Sequence, residues 1–190
     1  IISVLNTLVK EVTKCLNDYD PTPAARAIQE FVGENLSNWY VRLNRKRFWG
    51  GSMSEDKLAA YQTLYTCLET VVMLAAPIAP FITDRIFCDL NAISGRHTES
   101  SVHLAEYPTC NAALIDSQLE TMMSLAQRAS SMVLALRRKV NIKVRQPLQK
   151  IIIPVLDKAM AAHIEKVRAL IMGEVNVKDI ELIADTTGII

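Results

Sequence analysis

The sequence predicts a mainly α protein, an N-terminal helical bundle followed by a small α/β unit, and three observations carry that reading. Across residues 1–140 apolar side chains recur at steps of three and four, the period of helices that bury one face. Breakers separate the periodic stretches: Asp20-Pro21-Thr22-Pro23, Gly50-Gly51, and Pro77 with Pro80. Beyond residue 140 the period changes, and Lys150–Val155 and Val175–Ile183 are rich in β-branched residues on either side of a helical pattern over 157–172. We therefore divide the chain into a bundle, 1–140, and an α/β unit, 141–190.

In order, Ile1–Tyr19 carries Val4, Leu5, Leu8, Val9, Val12 and Leu16 at helical spacing. The chain opens at Ile1 with no initiator methionine, no charged leader and no cap, so we expect it to continue a longer polypeptide. Thr22 before Pro23 is the expected N-cap of a long second helix from Ala24 to Trp49, ended by Gly50-Gly51. Ser52 or Ser54 caps a third helix, with Leu58, Tyr61, Leu64, Tyr65, Leu68, Val71 and Val72 expected on its buried side. A fourth runs from Pro80 to Leu90 and carries Phe81, Ile82, Ile86 and Phe87, and Asn91–Ala113 reads as a loop over the bundle surface. Asp116 or Ser117 starts a fifth helix, whose stripe is Leu119, Met123, Ala126, Ser130, Val133, Leu136 and Val140. Arg137-Arg138-Lys139 falls in its last turn, where cations suit the helix dipole.

Composition excludes several classes. Half of the 190 residues are hydrophobic, which argues against disorder. The net charge is +1, from 21 basic and 20 acidic residues, so no global field drives binding to nucleic acid. Position is the informative part. No acid interrupts Asn35–Ser54, which holds Arg42, Arg45, Lys46 and Arg47, nor Thr121–Leu156, which holds Arg128, Arg137, Arg138, Lys139, Lys143, Arg145 and Lys150. Two segregated basic zones in a balanced chain point to a local anionic partner. Cys15, Cys67, Cys88 and Cys110 stand far apart, without metal-ligand spacing, and read as free thiols of a reducing cytosol. The longest apolar run, Val71–Ile82, is broken by Pro77 and Pro80 and falls short of the ~20 residues a bilayer needs, so no membrane is expected.

The first basic zone sets two stripes on one helix. Ile28, Val32, Leu36, Trp39 and Leu43 form the apolar one, with Trp39 in the core. Phe31, Asn35, Asn38, Arg42, Arg45 and Trp49 form the other, lining one edge with amides, guanidinium groups and rings. Guanidinium forks bind phosphate bidentately and an indole stacks on a base, the combination an RNA surface requires. A solvated helix face is the bland alternative for such a charge cluster. For phosphate and base contacts the candidates are Asn38, Arg42, Arg45, Lys46 and Arg47, with Trp49 or Phe48 as the stacking ring. Lys143 and Arg145 are further candidates for contact with an RNA stem, although Arg145 beside Gln146-Pro147 has an equal structural reading. Catalytic signatures are missing: there is no Gly-rich phosphate loop, nucleophile elbow or histidine pair on one helical face.

Several blocks, in order, resemble one family. Tyr19-Asp20, Ala24–Val32, Glu34-Asn35-Leu36-Ser37-Asn38-Trp39-Tyr40-Val41-Arg42, Arg47-Phe48-Trp49, Ala59–Tyr65, Ala75-Ala76-Pro77-Ile78-Ala79-Pro80-Phe81, Ser101–Leu104, Ile142–Leu148 and Glu174–Lys178 together resemble the anticodon-binding helical domain of isoleucyl-tRNA synthetases, class I aminoacyl-tRNA synthetases. Leu36–Tyr40 and Lys143–Leu148 favour the isoleucine enzymes over their valine and leucine relatives, whose equivalent domain is the alternative. The resemblance implies a tRNA-binding fragment of a cytoplasmic, monomeric ligase that joins isoleucine to its tRNA through an adenylate made from ATP, with magnesium. The implied partners are the tRNA for isoleucine and the catalytic and editing domains of the same polypeptide. The family's ATP-handling signatures and its zinc-binding tail have no counterpart here. Ser52-Met53-Ser54-Glu55-Asp56-Lys57 has a passing likeness to one of them but places acids where phosphate would be met, and reads as a helix start. A second function class, a structural module docking on the catalytic body, predicts that the basic edge meets protein carboxylates instead of RNA.

Overall fold

The computed structural model describes residues 1–184. It divides into two compact units, Ile1–Ile115 and Asp116–Ile190, of which 185–190 lie outside the described residues. Compactness thus separates the chain ahead of the helix at 117–139, whereas the change of sequence period falls after it, at 140. That helix packs against the one inside the α/β unit, which is why it belongs to the second unit.

The first unit contains α1 (Ile2–Asn17), α2 (Pro21–Glu30), a π-helical segment (Phe31–Val41), α3 (Arg45–Trp49), α4 (Glu55–Ala75) and α5 (Pro80–Ser94), then a long segment with one 3-10 turn at Ala112–Leu114. Leu5, Leu8, Val9 and Val12 of α1, Ala24 and Ile28 of α2, Phe31 and Leu36 of the π segment and Cys67 and Leu74 of α4 form the main core. Asp20, not Thr22, is the N-cap of α2. Pro21 and Pro23 both fall in its first turn, where helical N–H groups lack partners anyway, so neither ring interrupts a hydrogen bond.

The expected unbroken second helix is three pieces. In the π segment hydrogen bonds close at i+5 instead of i+4, so residues five apart share a face. Phe31, whose N–H still bonds to the Ala27 and Ile28 carbonyls, continues the buried line of Ala24 and Ile28 although the two-stripe pattern set it on the basic edge; Leu36, five residues on, joins it in the core, and Val32 turns outward from its place in the apolar stripe. Trp39 remains buried, as expected.

On α4, Ser54 is the cap: its hydroxyl accepts the Lys57 N–H at 3.2 Å. The expected buried side is rotated. Ala60, Leu64, Cys67, Val71 and Leu74 face the core, while Leu58, Tyr61 and Leu68 are exposed. Small residues at 60 and 67 let neighbouring helices approach closely, which outweighs the larger burial that the bulky residues offered. With 21 residues α4 also reaches bilayer length at a mean hydropathy of 1.2. One edge of it is packed inside the bundle, and 28% of the apolar window is buried. Burial lifts the Cys67 thiol to about 11.

Helix α5 continues four residues past the expected Leu90, until Gly95 at φ 61° ends it in the left-handed region. Phe87 is buried with Val72, Ala76 and Val102, but Phe81, Ile82 and Ile86 lie outward. The following segment is fixed by polar clamps. Asn91 donates to the His97 carbonyl at 2.8 Å and accepts its N–H at 2.9 Å. Tyr107 donates to the Leu74 carbonyl at 3.1 Å, and Asn6 of α1 accepts the Asn111 N–H at 2.8 Å. Asp84 accepts from the Ser101 hydroxyl at 2.7 Å and the Val102 N–H at 2.9 Å.

Those bonds, the hydroxyl's first, hold the Asp84 carboxyl below its usual 3.8. A carboxylate whose folded pKa is depressed stabilises the fold above its unfolded pKa and loses that contribution as pH falls through the folded value. We expect Asp84→Asn to melt below wild type at neutral pH, with the gap closing once pH drops under 3.8. A gap of constant size in thermal melts across that range would contradict this.

The second unit holds α6 (Ser117–Lys139), β1 (Ile151–Pro154), α7 (Lys158–Val175) and β2 (Ile180–Ile183). Asp116 caps α6 and Asp157 caps α7, each accepting an N–H three residues on. The strands pair in parallel, Ile151 opposite Ile180 and Ile153 opposite Leu182, with α7 as the crossover. Ile164, Val167, Ile171 and Val175 form the buried stripe of α7. On α6 the buried positions are Ala126, Ala129, Ser130 and Arg137, whereas the expected Leu119, Leu136 and Val140 are exposed.

Candidate nucleic-acid interface

The end of the π segment and α3 position the basic cluster. Asn38 and Arg42 are exposed on successive turns, and Asn38 reaches Glu34 at 3.4 Å. The π segment ends at Val41, and Asn44, the N-cap of α3, donates its side-chain N–H back to the Tyr40 carbonyl at 2.8 Å. Within α3 the side chains then divide by role.

Arg47 is held. Its Nε and NH2 contact both carboxylate oxygens of Asp56 at 2.7 and 2.6 Å, and NH1 donates to Asn44 Oδ1 at 2.7 Å. This two-point grip raises the guanidinium pKa further and ties α3 to the start of α4. Phe48 is buried, 6% exposed, with its ring 5.1 Å from that of Tyr61 and 6.3 Å from that of Tyr40. Both were sequence candidates for RNA contact, and the structure gives each a packing duty. Of the two candidate stacking rings, Trp49 is the accessible one, 79% exposed.

Arg45 lies over the Trp49 indole, 5.3 Å from the ring centre, and Lys46 is exposed beside it. Gly51, at φ 60°, turns the chain directly afterwards, and Lys57 Nζ donates to the Gly50 carbonyl at 3.2 Å. The result is a short helix that presents an open ring, a stacked guanidinium and an ammonium on one side while Arg47 and Phe48 anchor the other. Such a surface can take an anionic backbone and stack an unpaired base.

Lys143 and Arg145 belong to the second unit, in the turn between α6 and β1, and both are exposed. That turn is built on Arg137, which is 3% exposed. Arg137 NH1 donates to the Lys143 and Gln146 carbonyls at 3.2 and 3.0 Å, and NH2 to the Asn176 carbonyl at 3.0 Å. The sequence offered this residue a dipole role and a place in the second basic zone; its organising role needs the fold to bring residue 176 beside residue 137.

Among the described residues no three His, Cys, Asp or Glu side chains gather into a possible metal site, and no glycine-rich loop precedes a helix.

Comparison of the sequence with known proteins places it in a family. The sequence model described as the anticodon-binding domain of tRNA ligase matches residues 1–152. The isoleucine–tRNA ligase of Bacteroides fragilis strain YCH46 is 63% identical over 190 residues, the whole of this chain. That of Cytophaga hutchinsonii is 56% identical over the same length, and that of Dehalococcoides mccartyi strain CBDB1 is 42% identical over 188 residues, 99% of the chain. The chain spans 17%, 17% and 18% of these relatives' lengths. With the larger part of its length matched by that model and an exposed ring-and-guanidinium surface at the heart of the match, the chain belongs to the anticodon-binding domain family of tRNA ligases.

Proposed function

We propose that this chain grips the anticodon stem and loop of the tRNA for isoleucine, as part of a ligase that attaches isoleucine to that tRNA with ATP. The observation that carries the reading is the exposed Arg45–Trp49 pair, held outward by the anchored Arg47 and Phe48. Its relatives' shared name, isoleucine–tRNA ligase, supplies the amino acid and the reaction. Arg45, Lys46, Arg42 and Asn38 meet phosphate and polar base edges, Trp49 stacks, and Lys143 and Arg145 add stem contacts. On this reading the ligase is a cytoplasmic monomer, and ATP with magnesium is handled by its catalytic domain, next to an editing domain.

Replacing a phosphate-contacting residue tests it. Arg45→Ala is expected to weaken tRNA binding and to lower the slope of log affinity against log salt by about one, with the thermal midpoint unchanged. Arg47→Ala is expected to lower the thermal midpoint instead, because it releases α3 from Asp56. A folded Arg45→Ala protein with unaltered affinity and salt slope would contradict the proposal.

A second role is supported by α5. Phe81 is 91% and Ile93 90% exposed, and Ile82 and Ile86 are exposed on the same helix. An apolar face of this kind fits docking against another domain of the ligase polypeptide. The 190-residue chain alone is expected to bind a hydrophobic dye and self-associate with rising concentration, and Phe81→Ser with Ile82→Ser to suppress both. A chain that stays monodisperse and dye-free contradicts that role.

A further inference from the structure

The outward side of α4 carries a groove of about 350 Å³, lined by Tyr61, Gln62, Leu64, Tyr65, Leu68 and, from the turn after α5, Arg96. The Arg96 guanidinium lies 4.3 Å from the centre of the Tyr65 ring. Its NH1 is 3.4 Å from Glu69 Oε2, and the Tyr65 hydroxyl and Ser94 Oγ are 2.7 Å apart, so both members of the stack are held. The Arg96 side chain stays 46% exposed, which leaves the stack open to a third planar group.

We propose that this groove takes an unpaired nucleotide of the bound RNA, its base stacked on Arg96 and its edge met by the Gln62 amide; the proposal rests on the RNA-binding reading above. Guanidinium planes are surfaces on which splayed-out bases stack, and an amide offers both donor and acceptor to a base edge. Leu64 and Leu68 supply apolar contact for the base. Charge favours a base over an acidic peptide, because Glu69 already pairs with both Arg96 and His97 and would repel a carboxylate. The groove also adjoins the segment that carries the Arg45–Trp49 pair. Tyr61 donates to the Phe48 carbonyl at 3.1 Å, and Lys57 reaches Gly50, so α4 begins beside that pair.

The test is the affinity of the 190-residue chain for an RNA hairpin carrying the isoleucine anticodon loop, measured by anisotropy for wild type, Arg96→Ala, Arg96→Lys, Leu68→Glu and Arg45→Ala. Arg96→Ala is expected to weaken binding roughly tenfold without changing its salt slope, the mark of lost stacking, and Leu68→Glu to weaken it at least as much, by lost apolar contact and the repulsion of an added carboxylate. Arg96→Lys is expected to fall with them, since it keeps the charge and loses the plane. Wild-type affinity in Arg96→Lys, or in a folded Leu68→Glu protein, overturns the groove assignment. If Arg45→Ala still weakens binding in that case, the anticodon-binding reading stands. A wild-type chain that does not bind the hairpin overturns both.

Discussion

Arg137→Met is expected to destabilise the second unit by about 3–5 kcal/mol, a large part of the ~5–15 kcal/mol that holds a typical domain. The guanidinium supplies donors to three carbonyls from two segments, Lys143 and Gln146 on one side and Asn176 on the other. Methionine keeps the length of the stem and removes every donor, leaving those carbonyls facing an apolar chain. Asn176, which ends α7 in the left-handed region, also donates to the Val144 carbonyl at 2.8 Å, so the turn and the helix end are tied together and loosen together. Both tryptophans lie in the first unit. Tryptophan fluorescence should therefore report little change, while far-ultraviolet circular dichroism loses α7 signal at lower temperature. A dichroism melt that matches wild type would contradict this role.

Trp49→Ala and Phe48→Ala are expected to act in opposite ways. Removing Trp49 takes away an exposed ring that touches the protein chiefly through Arg45, so stability should hold within about 0.5 kcal/mol. Its loss should weaken tRNA binding by about 1–3 kcal/mol, between about fivefold and 150-fold, the contribution of one stacked base. Phe48→Ala opens a cavity between Tyr40 and Tyr61 and should cost about 3 kcal/mol of stability or more. Thermal melts and tRNA titrations of the two variants separate a contact ring from a packing ring. Equal effects of both on binding, with neither altering stability, would contradict the division made here.

The adjacency of these two rings shows what the sequence makes legible and what it does not. The helices, the breakers, and the β-branched strands around α7 follow from periodicity, and the bundle with its small α/β unit is as expected. Which face each helix buries is harder. On α4 the core edge passes through Ala60 and Cys67, small residues that a search for bulky side chains overlooks. On α6 the core positions after Ser130 and Val133 lead to Arg137, a charge buried because carbonyls distant in sequence surround it. The π segment is the deepest difference: its i+5 bonds set Leu36 beside Phe31, which continues the buried Ala24–Ile28 line of α2, and turn Val32 out of the stripe that uniform helical spacing assigned it. Within the candidate site, Arg42, Arg45, Lys46 and Trp49 are outward as the basic run suggested. Arg47 is paired with Asp56, which lies just past the acid-free run, and Phe48 packs on Tyr61, which arrives from the next helix, so both also hold the fold together.

The central claim is that the chain reads the tRNA for isoleucine through the surface around Trp49. Its most direct test is a titration of the 190-residue chain, followed by tryptophan fluorescence, with that tRNA and with an unrelated tRNA, each at low and moderate salt. The account predicts tighter binding of the isoleucine tRNA at both salts, with fluorescence quenching that disappears in Trp49→Ala. Equal affinity for both tRNAs, lost together as salt rises, would contradict it, leaving only nonspecific attraction to phosphate.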